Sequence, residues 1–316
     1  MASQSTSDYE VYHVPEKSWL AFCASTGLAL SILGASSVLN DMTFGDGISG
    51  SSTTLLYIGL FFFAATLFSW FSTTIKENRA GLNSAQLKRS YVFGMQWFIF
   101  SEVMFFAVFF GALFYVRALV GPWLAGEGEA GTMNGLLWEG FEHTWPVTAT
   151  PQEAVGGAGA QLIANNGTFN APTAEMHWYK LPLMNTIVLL SSSVTVHFAH
   201  HALKADHRSK FNLWLGITLV LGFIFVALQA LEYHEAYTEL GLTLESGIYG
   251  STFFMLTGFH GFHVCMGAFM LTIQWLRSTR AGHFTAEDHF GFEASSWYWH
   301  FVDVVWVGLF LFVYII

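Results

Sequence analysis

Charged residues are scarce in this chain: only 11% of its 316 residues are Asp, Glu, Lys or Arg, whereas soluble domains contain roughly 25%. Hydrophobic residues make up 53% and aromatic residues 17%. This composition excludes a disordered chain and an ordinary water-soluble enzyme, and it is typical of a protein that lies mostly in lipid. The net charge of −10 argues against nucleic acid as a ligand, because phosphate binding requires clustered Lys and Arg.

Cysteine is almost absent, and the two that occur, Cys23 and Cys265, lie in apolar runs. We therefore expect small core residues and no disulfide framework. No CxxC pair and no CxxCH haem-attachment site is present. The N-terminus is polar and acidic, with one Lys before the first apolar run, so we expect no cleaved secretory signal.

Seven stretches are long and apolar enough to cross a bilayer, whose hydrocarbon core of about 30 Å needs about 20 helical residues. Five of them contain no charged residue, and two contain a single acid, Glu102 or Asp303. The sequence predicts an all-α, polytopic membrane protein with spans at 18–40, 47–75, 90–116, 181–203, 211–231, 246–276 and 294–316.

The basic residues predict how these spans are oriented. Ten of the twelve Lys and Arg lie in the N-terminal segment or in the second, fourth and sixth connections, and only Arg117 and Lys180 lie on the other side. By the positive-inside rule, segment 1–17 and the connection 76–89 are cytoplasmic and the C-terminus is outside. Acidic residues collect on the outer side.

A long outer insertion separates the third span from the fourth. It covers about 121–180 and is rich in Gly, Ala, Glu and Asn. Connections of this length are unusual and are functional, bind a partner or are disordered. Its aromatic residues indicate that parts of it lie against the membrane surface or another subunit; they are Trp138, Phe141, Trp145 and Trp178.

Ionisable side chains inside or at the ends of the spans are functional candidates, because a membrane interior penalises them. Glu102 lies about 18 Å along its span, near the midplane, and is either a proton-active acid or a carboxyl bonded to a neighbouring helix. The full set is Glu102, His197, His200, His201, Glu232, His260, His263, His300 and Asp303.

The histidines permit three interpretations. His197, His200 and His201 share one arc of a helix, and His260 and His263 lie one turn apart. Such clusters could bind a di-iron centre or ligate haem between two helices. They could equally form hydrogen bonds between helices, as polar residues in membranes often do.

Five blocks of sequence strongly resemble subunit III of cytochrome c oxidase. The resemblance covers nearly all of the chain from the first span to the C-terminus, and the last two blocks are the most specific. The blocks are SEVMFF at 101–106, LPLMNTIVLLSSSVTVHFAHHAL at 181–203, QALEYHEA at 229–236, GIYGSTFFMLTGFHGFHV at 247–264 and HFGFEASSWYWHFVDVVW at 289–306.

The resemblance implies a two-helix arm at 18–75 and a five-helix bundle at 90–316, arranged as a V that binds phospholipid. It implies a non-catalytic core subunit of a proton-pumping oxidase that reduces oxygen to water. Such a subunit packs on subunit I, supports its proton uptake and its stability during turnover, and has no redox centre of its own. Haem and copper are then expected in subunits I and II, and cytochrome c docks on the complex.

The resemblance also suggests roles for individual residues. It implies no catalytic or metal-binding residue, structural roles for the histidines, for Glu232 and for Asp303, and a proton-related role for Glu102. The cytoplasmic ends of the second and sixth helices supply the lipid-binding candidates, which are Lys76, Glu77, Arg79, Arg277, Arg280 and His283.

Two alternatives and two departures accompany this interpretation; one departure is the connection at 76–89, which matches the family only loosely. Subunit III of a quinol oxidase is similar but typically lacks the first two helices. A membrane di-iron oxygenase would use the HxxHH cluster at 197–201, although no second such cluster exists. The insertion at 121–180 replaces a short Trp-Pro-rich loop of the family; because it departs from the mitochondrial form, we expect a bacterial plasma membrane.

Overall fold

A computed structural model describes residues 17–45, 47–156 and 172–316 of the chain. Throughout these residues the regular structure is helical, and no strand occurs among them. Seven helices in this described part are long and apolar enough to cross a membrane, which confirms the predicted all-α, polytopic class. They are α1 (Leu20–Phe44), α2 (Gly50–Arg79), α3 (Ala85–Tyr115), α7 (Leu181–Lys204), α8 (Arg208–Thr238), α9 (Gly247–Ala281) and α10 (Phe290–Leu309).

Several helices extend beyond the charge-free runs that predicted them. Helix α2 continues to Arg79, and α3 begins at Ala85, so the connection predicted at 76–89 shrinks to 80–84. The physical reason is that Lys, Glu and Arg are good helix formers. Their charged ends can reach water or headgroups from the last turn of a membrane helix.

The chain divides into two compact units, Met1–Gly94 and Met95–Ile316. The first contains α1, α2 and the start of α3, and the second contains the rest of α3 and all later helices. The predicted division places the boundary in the connection at 76–89, whereas the contacts place it within α3. The V-shaped arrangement of the two parts stays a prediction.

In the first unit, small residues let α1 and α2 approach closely. A Cβ atom at Gly34 would lie 2.4 Å from the backbone nitrogen of Leu56, and one at Gly59 would lie 2.4 Å from that of Ser31. Close backbone approach is a common basis of helix association in lipid, where apolar side chains gain little from leaving the solvent. The buried residues of the two helices are Gly27, Ser31, Gly34, Ser52, Gly59 and Thr66.

In the second unit, large aromatic residues of α10 fill the centre of the bundle. Trp299 and Trp306 are fully buried, and their indole N–H groups donate to Ser192 and Thr186 of α7, both at 2.9 Å. Each hydrogen bond gives an indole N–H an acceptor, which lipid hydrocarbon could not supply. Helix α10 is thereby tied to α7 at two levels.

Between α3 and α7 the described chain forms short helical turns. A π-helical turn (Val116–Val120) and α4 (Gly121–Leu124) continue α3. A 3₁₀ turn (Glu129–Met133), α5 (Asn134–Leu137) and α6 (Pro151–Gly156) follow. The predicted insertion therefore begins with a helical extension of the third span. Its residues 157–171 lie outside the described part.

Candidate functional site

In the second unit, Glu102 of α3 forms a pair with His263 of α9. The Oε2 atom of Glu102 lies 2.8 Å from Nε2 of His263. The other imidazole nitrogen, Nδ1, lies 2.6 Å from the carbonyl oxygen of Phe259, one turn earlier on α9. A carbonyl can only accept, so Nδ1 carries a proton and donates it.

This arrangement limits the protonation states of the pair. Because Nδ1 is committed to Phe259, the contact between Glu102 and Nε2 of His263 needs one shared proton. That proton lies on the carboxyl group, which gives a neutral pair, or on the imidazole, which gives an ion pair. The two forms differ only in the position of this proton.

Aromatic rings surround the pair. The ring of His263 lies 5.0 Å from that of Phe106, 6.3 Å from that of Phe301 and 6.4 Å from that of Tyr298, measured between centroids. Phe106 and Tyr298 are themselves buried. A low-polarity shell of this kind strengthens the electrostatic interaction between the two partners.

Other sequence-predicted residues have protein partners in the same unit. Nε2 of His260 lies 3.2 Å from the carbonyl oxygen of Val302. Nδ1 of His300 lies 2.8 Å from Oγ of Ser193 and 3.5 Å from Oδ2 of Asp303. These contacts join α9 to α10 and α10 to α7.

The HxxHH residues of α7 do not converge on one point. His197 and His201 are exposed, whereas His200 is half-buried. The ring of His200 lies 5.5 Å from that of His289 and 5.7 Å from that of Phe292, both edge to face. His200 therefore packs against two rings outside α7.

A metal centre needs several ligands in one place. Among residues 17–45, 47–156 and 172–316, no group of three or more His, Cys, Asp or Glu side chains is placed to hold a metal ion. The di-iron interpretation requires such a group from the 197–201 cluster. In the described part of the structure, only His200 of this cluster packs against another helix, through the rings of His289 and Phe292.

Glu232 occupies a second polar cluster, which is fully buried. Its Oε1 accepts a hydrogen bond from the hydroxyl of Tyr314 at 2.6 Å, and its Oε2 lies 3.5 Å from Nδ2 of Asn185. The same Asn185 nitrogen lies 3.4 Å from Oε1 of Gln229. The cluster joins α7, α8 and the π-helical turn Phe310–Ile315 that follows α10.

Glu232 was predicted from the sequence, but its neutral partners Asn185, Gln229 and Tyr314 were not. The prediction was limited to Asp, Glu and His side chains in the spans. A search for any polar residue in an apolar run would have found Asn185, and Gln229 lies three residues before Glu232 on the same helix face. Tyr314 carries no signal that marks it from other aromatic residues.

The lipid-binding candidates fall at the ends of two helices in different units. Lys76, Glu77 and Arg79 lie in the last turns of α2, where Lys76 and Arg79 are exposed. At the end of α9, Arg280 is exposed. Arg277, by contrast, is engaged within the chain.

Arg277 has several protein partners. It donates to Oε1 of Gln274 at 2.9 Å, contacts Nδ1 of His283 at 3.5 Å, and lies 4.7 Å above the ring of Phe284. These contacts fold the segment after α9 back onto the helix. Gly282, with a φ of 61°, forms the left-handed turn that this reversal needs.

Together these features define a seven-helix membrane protein whose buried acids and histidines contact other protein groups. The chain belongs to the cytochrome c oxidase subunit III family, whose family model matches residues 10–127 and 167–316. Cytochrome c oxidase subunit 3 of Carassius auratus is 38% identical over 265 residues, which cover 83% of this chain and 84% of that protein. The subunit 3 of Pongo abelii is 39% identical over 264 residues, with the same coverage of both chains.

The family match shortens the part of the predicted insertion that departs from the family. Residues 121–127 and 167–180 match the family model, so only 128–166 lie outside it. The structure agrees at the first boundary, because α4 continues α3 to Leu124. The segment outside the family model therefore contains the 3₁₀ turn, α5 and α6.

Proposed function

We propose that this chain is a non-catalytic core subunit of a proton-pumping cytochrome c oxidase. In this role it packs on subunit I within a complex that also contains subunit II, and cytochrome c docks on that complex. Haem and copper are held by the partner subunits, where oxygen is reduced to water in aerobic respiration. This chain supports proton uptake by subunit I and its stability during turnover.

One observation carries the non-catalytic role: in the part of the chain that the structure describes, three histidines of the second unit contact protein groups, and no group of ligands is placed to hold a metal ion. His263 contacts Glu102, His260 contacts Val302, and His300 contacts Ser193. The test is metal analysis of the purified complex and of this chain after its separation from it. Stoichiometric iron or copper on the separated chain would overturn the proposal.

The pair of Glu102 and His263 supports the proton-related role, because it shares one proton within a span. Glu102→Gln removes the exchangeable proton while an amide still fits the space. We expect slower proton uptake or faster inactivation of the assembled oxidase in vesicles. Glu235→Gln is the control, since Glu235 forms a more exposed salt bridge with Lys180 at 3.3 Å. Unchanged uptake and unchanged inactivation would make Glu102 purely structural.

We further propose that the cytoplasmic ends of α2 and α9 bind phospholipid headgroups. Lys76, Arg79 and Arg280 are exposed cations of the kind that suit phosphate. Arg280→Gln is expected to reduce the phospholipid that co-purifies with the complex, measured by mass spectrometry. Lys210→Gln, a change at an exposed cation outside these groups, serves as the control. Equal lipid content in both variants would remove this assignment.

The proposed location is a bacterial plasma membrane, with the N-terminus in the cytoplasm and the C-terminus in the periplasm. The distribution of Lys and Arg supports the orientation. The segment 128–166, which lies outside the family model, supports the bacterial assignment. Labelling of single engineered cysteines at positions 88 and 245 in intact cells tests the orientation, because only position 245 should react with an impermeant reagent.

Subunit III of a quinol oxidase is the second candidate. The presence of α1 and α2 favours cytochrome c as the electron donor, because quinol-oxidase members typically lack these helices. Oxidation of reduced cytochrome c by the purified complex separates the two. Activity with a quinol and none with cytochrome c would favour the second candidate.

A further inference from the structure

Three large apolar side chains are exposed within the segment that the family model leaves unmatched. The exposed fraction is 77% for Leu136, 52% for Met133 and 47% for Leu137. They lie between α4 and α6, outside all seven membrane-crossing helices. Their spacing of three and four residues places them on one face of the turn. We refer to Met133, Leu136 and Leu137 as the 133–137 tip.

The tip is held in a defined position. The side-chain nitrogen of Asn134 donates to the carbonyl oxygen of Leu124 at 2.7 Å and to that of Trp138 at 3.0 Å. Gly131 packs so closely that an added Cβ would lie 2.4 Å from the carbonyl carbon of Gly126. These contacts fasten the turn to the end of the third span. An exposed apolar group that is already ordered loses little conformational entropy on binding.

The charged residues that flank the tip along the chain are all acidic. Glu127 and Glu129 precede it, Glu139 and Glu142 follow it, and all four are exposed. The sequence has no Lys or Arg between Arg117 and Lys180. A binding surface with an apolar centre and a charged rim is typical of protein–protein interfaces. Here the four residues that form the rim are all acidic.

The absence of basic residues argues against the bilayer as the occupant. Segments that lie on a membrane surface carry Lys and Arg on their polar face, because headgroup regions are neutral or anionic. Pressing the tip into an anionic surface would bring Glu129 and Glu139 toward like charges. A protein surface with Lys and Arg around an apolar depression complements both the apolar centre and the acidic rim.

We propose that the 133–137 tip is a docking site for a protein that presents an apolar pocket rimmed by Lys and Arg. The side chains of Leu136 and Leu137 fill the pocket and supply most of the affinity. The carboxylates of Glu127, Glu129 and Glu139 orient the partner and make binding dependent on salt. This site is additional to the proposed role in the oxidase and does not rest on it.

Photo-cross-linking in native membranes tests the proposal. A photoreactive amino acid replaces Leu136 in the full chain, and the matched control carries it at Val155, which is 47% exposed in α6 outside the tip. We expect the chain with the photoreactive residue at position 136 to cross-link to a protein, and the chain with it at position 155 to form no such adduct. The cross-linked region of that protein should be basic by mass spectrometry.

The charge requirement supplies the second part of the test. Combined Glu127→Gln, Glu129→Gln and Glu139→Gln should lower the adduct yield about fivefold, as expected for three exposed ion pairs. Glu245→Gln is the control, because this exposed acid lies outside the segment. Raising the salt concentration should have a similar effect on the unmodified tip.

Three outcomes would overturn the proposal. The first is an adduct only to phospholipid, and the second is a yield at position 136 no greater than at position 155. The third is a protein adduct whose yield changes neither with salt nor with the Gln substitutions. A lipid adduct would identify the tip as a membrane contact. An unchanged expression level and an unchanged elution volume of each variant in detergent show that the chain has folded before the yields are compared.

Discussion

The contact between α1 and α2 predicts a sharp intolerance to one added methyl group. In Gly34→Ala, the new Cβ would lie 2.4 Å from the backbone nitrogen and 2.5 Å from the Cα of Leu56. Ordinary van der Waals contact begins at about 3.4 Å, so the two helices must separate locally by about 1 Å. Backbone atoms cannot rotate away as a flexible side chain can.

The energetic cost follows from this displacement. A radial gap of 0.5–1 Å removes about a quarter to a half of the attraction between atoms in contact. Overpacking of this kind typically destabilises by about 1–3 kcal/mol. No hydrophobic gain offsets this cost, because the lipid tails around α1 and α2 are as apolar as the contact between the two helices. We therefore expect the free energy of unfolding to fall by about 1–3 kcal/mol.

Disulfide formation measures the separation directly. Gly27 packs against Phe63 and Gly34 against Leu56, so the antiparallel register places position 67 opposite Cys23. In a Leu67→Cys background, Cys23 and the new cysteine should oxidise readily to a disulfide, which requires Cα atoms within about 7 Å. Adding Gly34→Ala should slow the oxidation and lower the resistance of the chain to unfolding by detergent.

The control is Gly50→Ala, since a Cβ at Gly50 would meet no atom within 4 Å. This variant should oxidise and unfold like the Leu67→Cys parent. Equal oxidation rates and equal unfolding midpoints for Gly34→Ala and Gly50→Ala would refute the reasoning. They would mean that close backbone contact does not hold the two helices together.

Two further predictions concern the second unit. Tyr314→Phe removes the hydroxyl that donates to Glu232 at 2.6 Å, and leaving a buried carboxyl short of a partner should destabilise the chain by about 1–3 kcal/mol in detergent unfolding. Gly267→Ala would place a Cβ 2.9 Å from the ring of Trp299, and it should lower the thermal unfolding midpoint and alter the tryptophan fluorescence. The matched controls are Tyr237→Phe, at an exposed tyrosine, and Gly261→Ala, where nothing lies within 4 Å; a control that loses as much stability as its partner contradicts the corresponding prediction.

Part of the site could be predicted from the sequence. Glu102 and His263 each stand out as ionisable residues in an apolar span, and that local property was sufficient to select them. Their pairing was not predictable, because they are 161 residues apart and meet only when α3 packs on α9. The same holds for Glu232, whose partner Tyr314 lies 82 residues later on the chain.

The positions of the helices were predictable from the sequence, whereas their exact ends were not. Apolar runs located all seven spans, since the bilayer imposes a minimum length on an uncharged segment. They placed several ends short of the observed helix termini; α2, for example, continues to Arg79. A helix ends where its backbone hydrogen bonds end, and this point need not coincide with the end of the apolar run.

The sequence by itself determined the helical membrane class, the seven spans and the family resemblance. These follow from composition, run length and contiguous motifs, which need no knowledge of long-range contacts. Only the tertiary structure decided that His263 pairs with Glu102, that His200 packs against His289 and Phe292, and that the 133–137 tip is ordered and exposed. The physical reason is that a side chain's partner in a helical bundle depends on which faces meet, and residues distant in sequence determine that together.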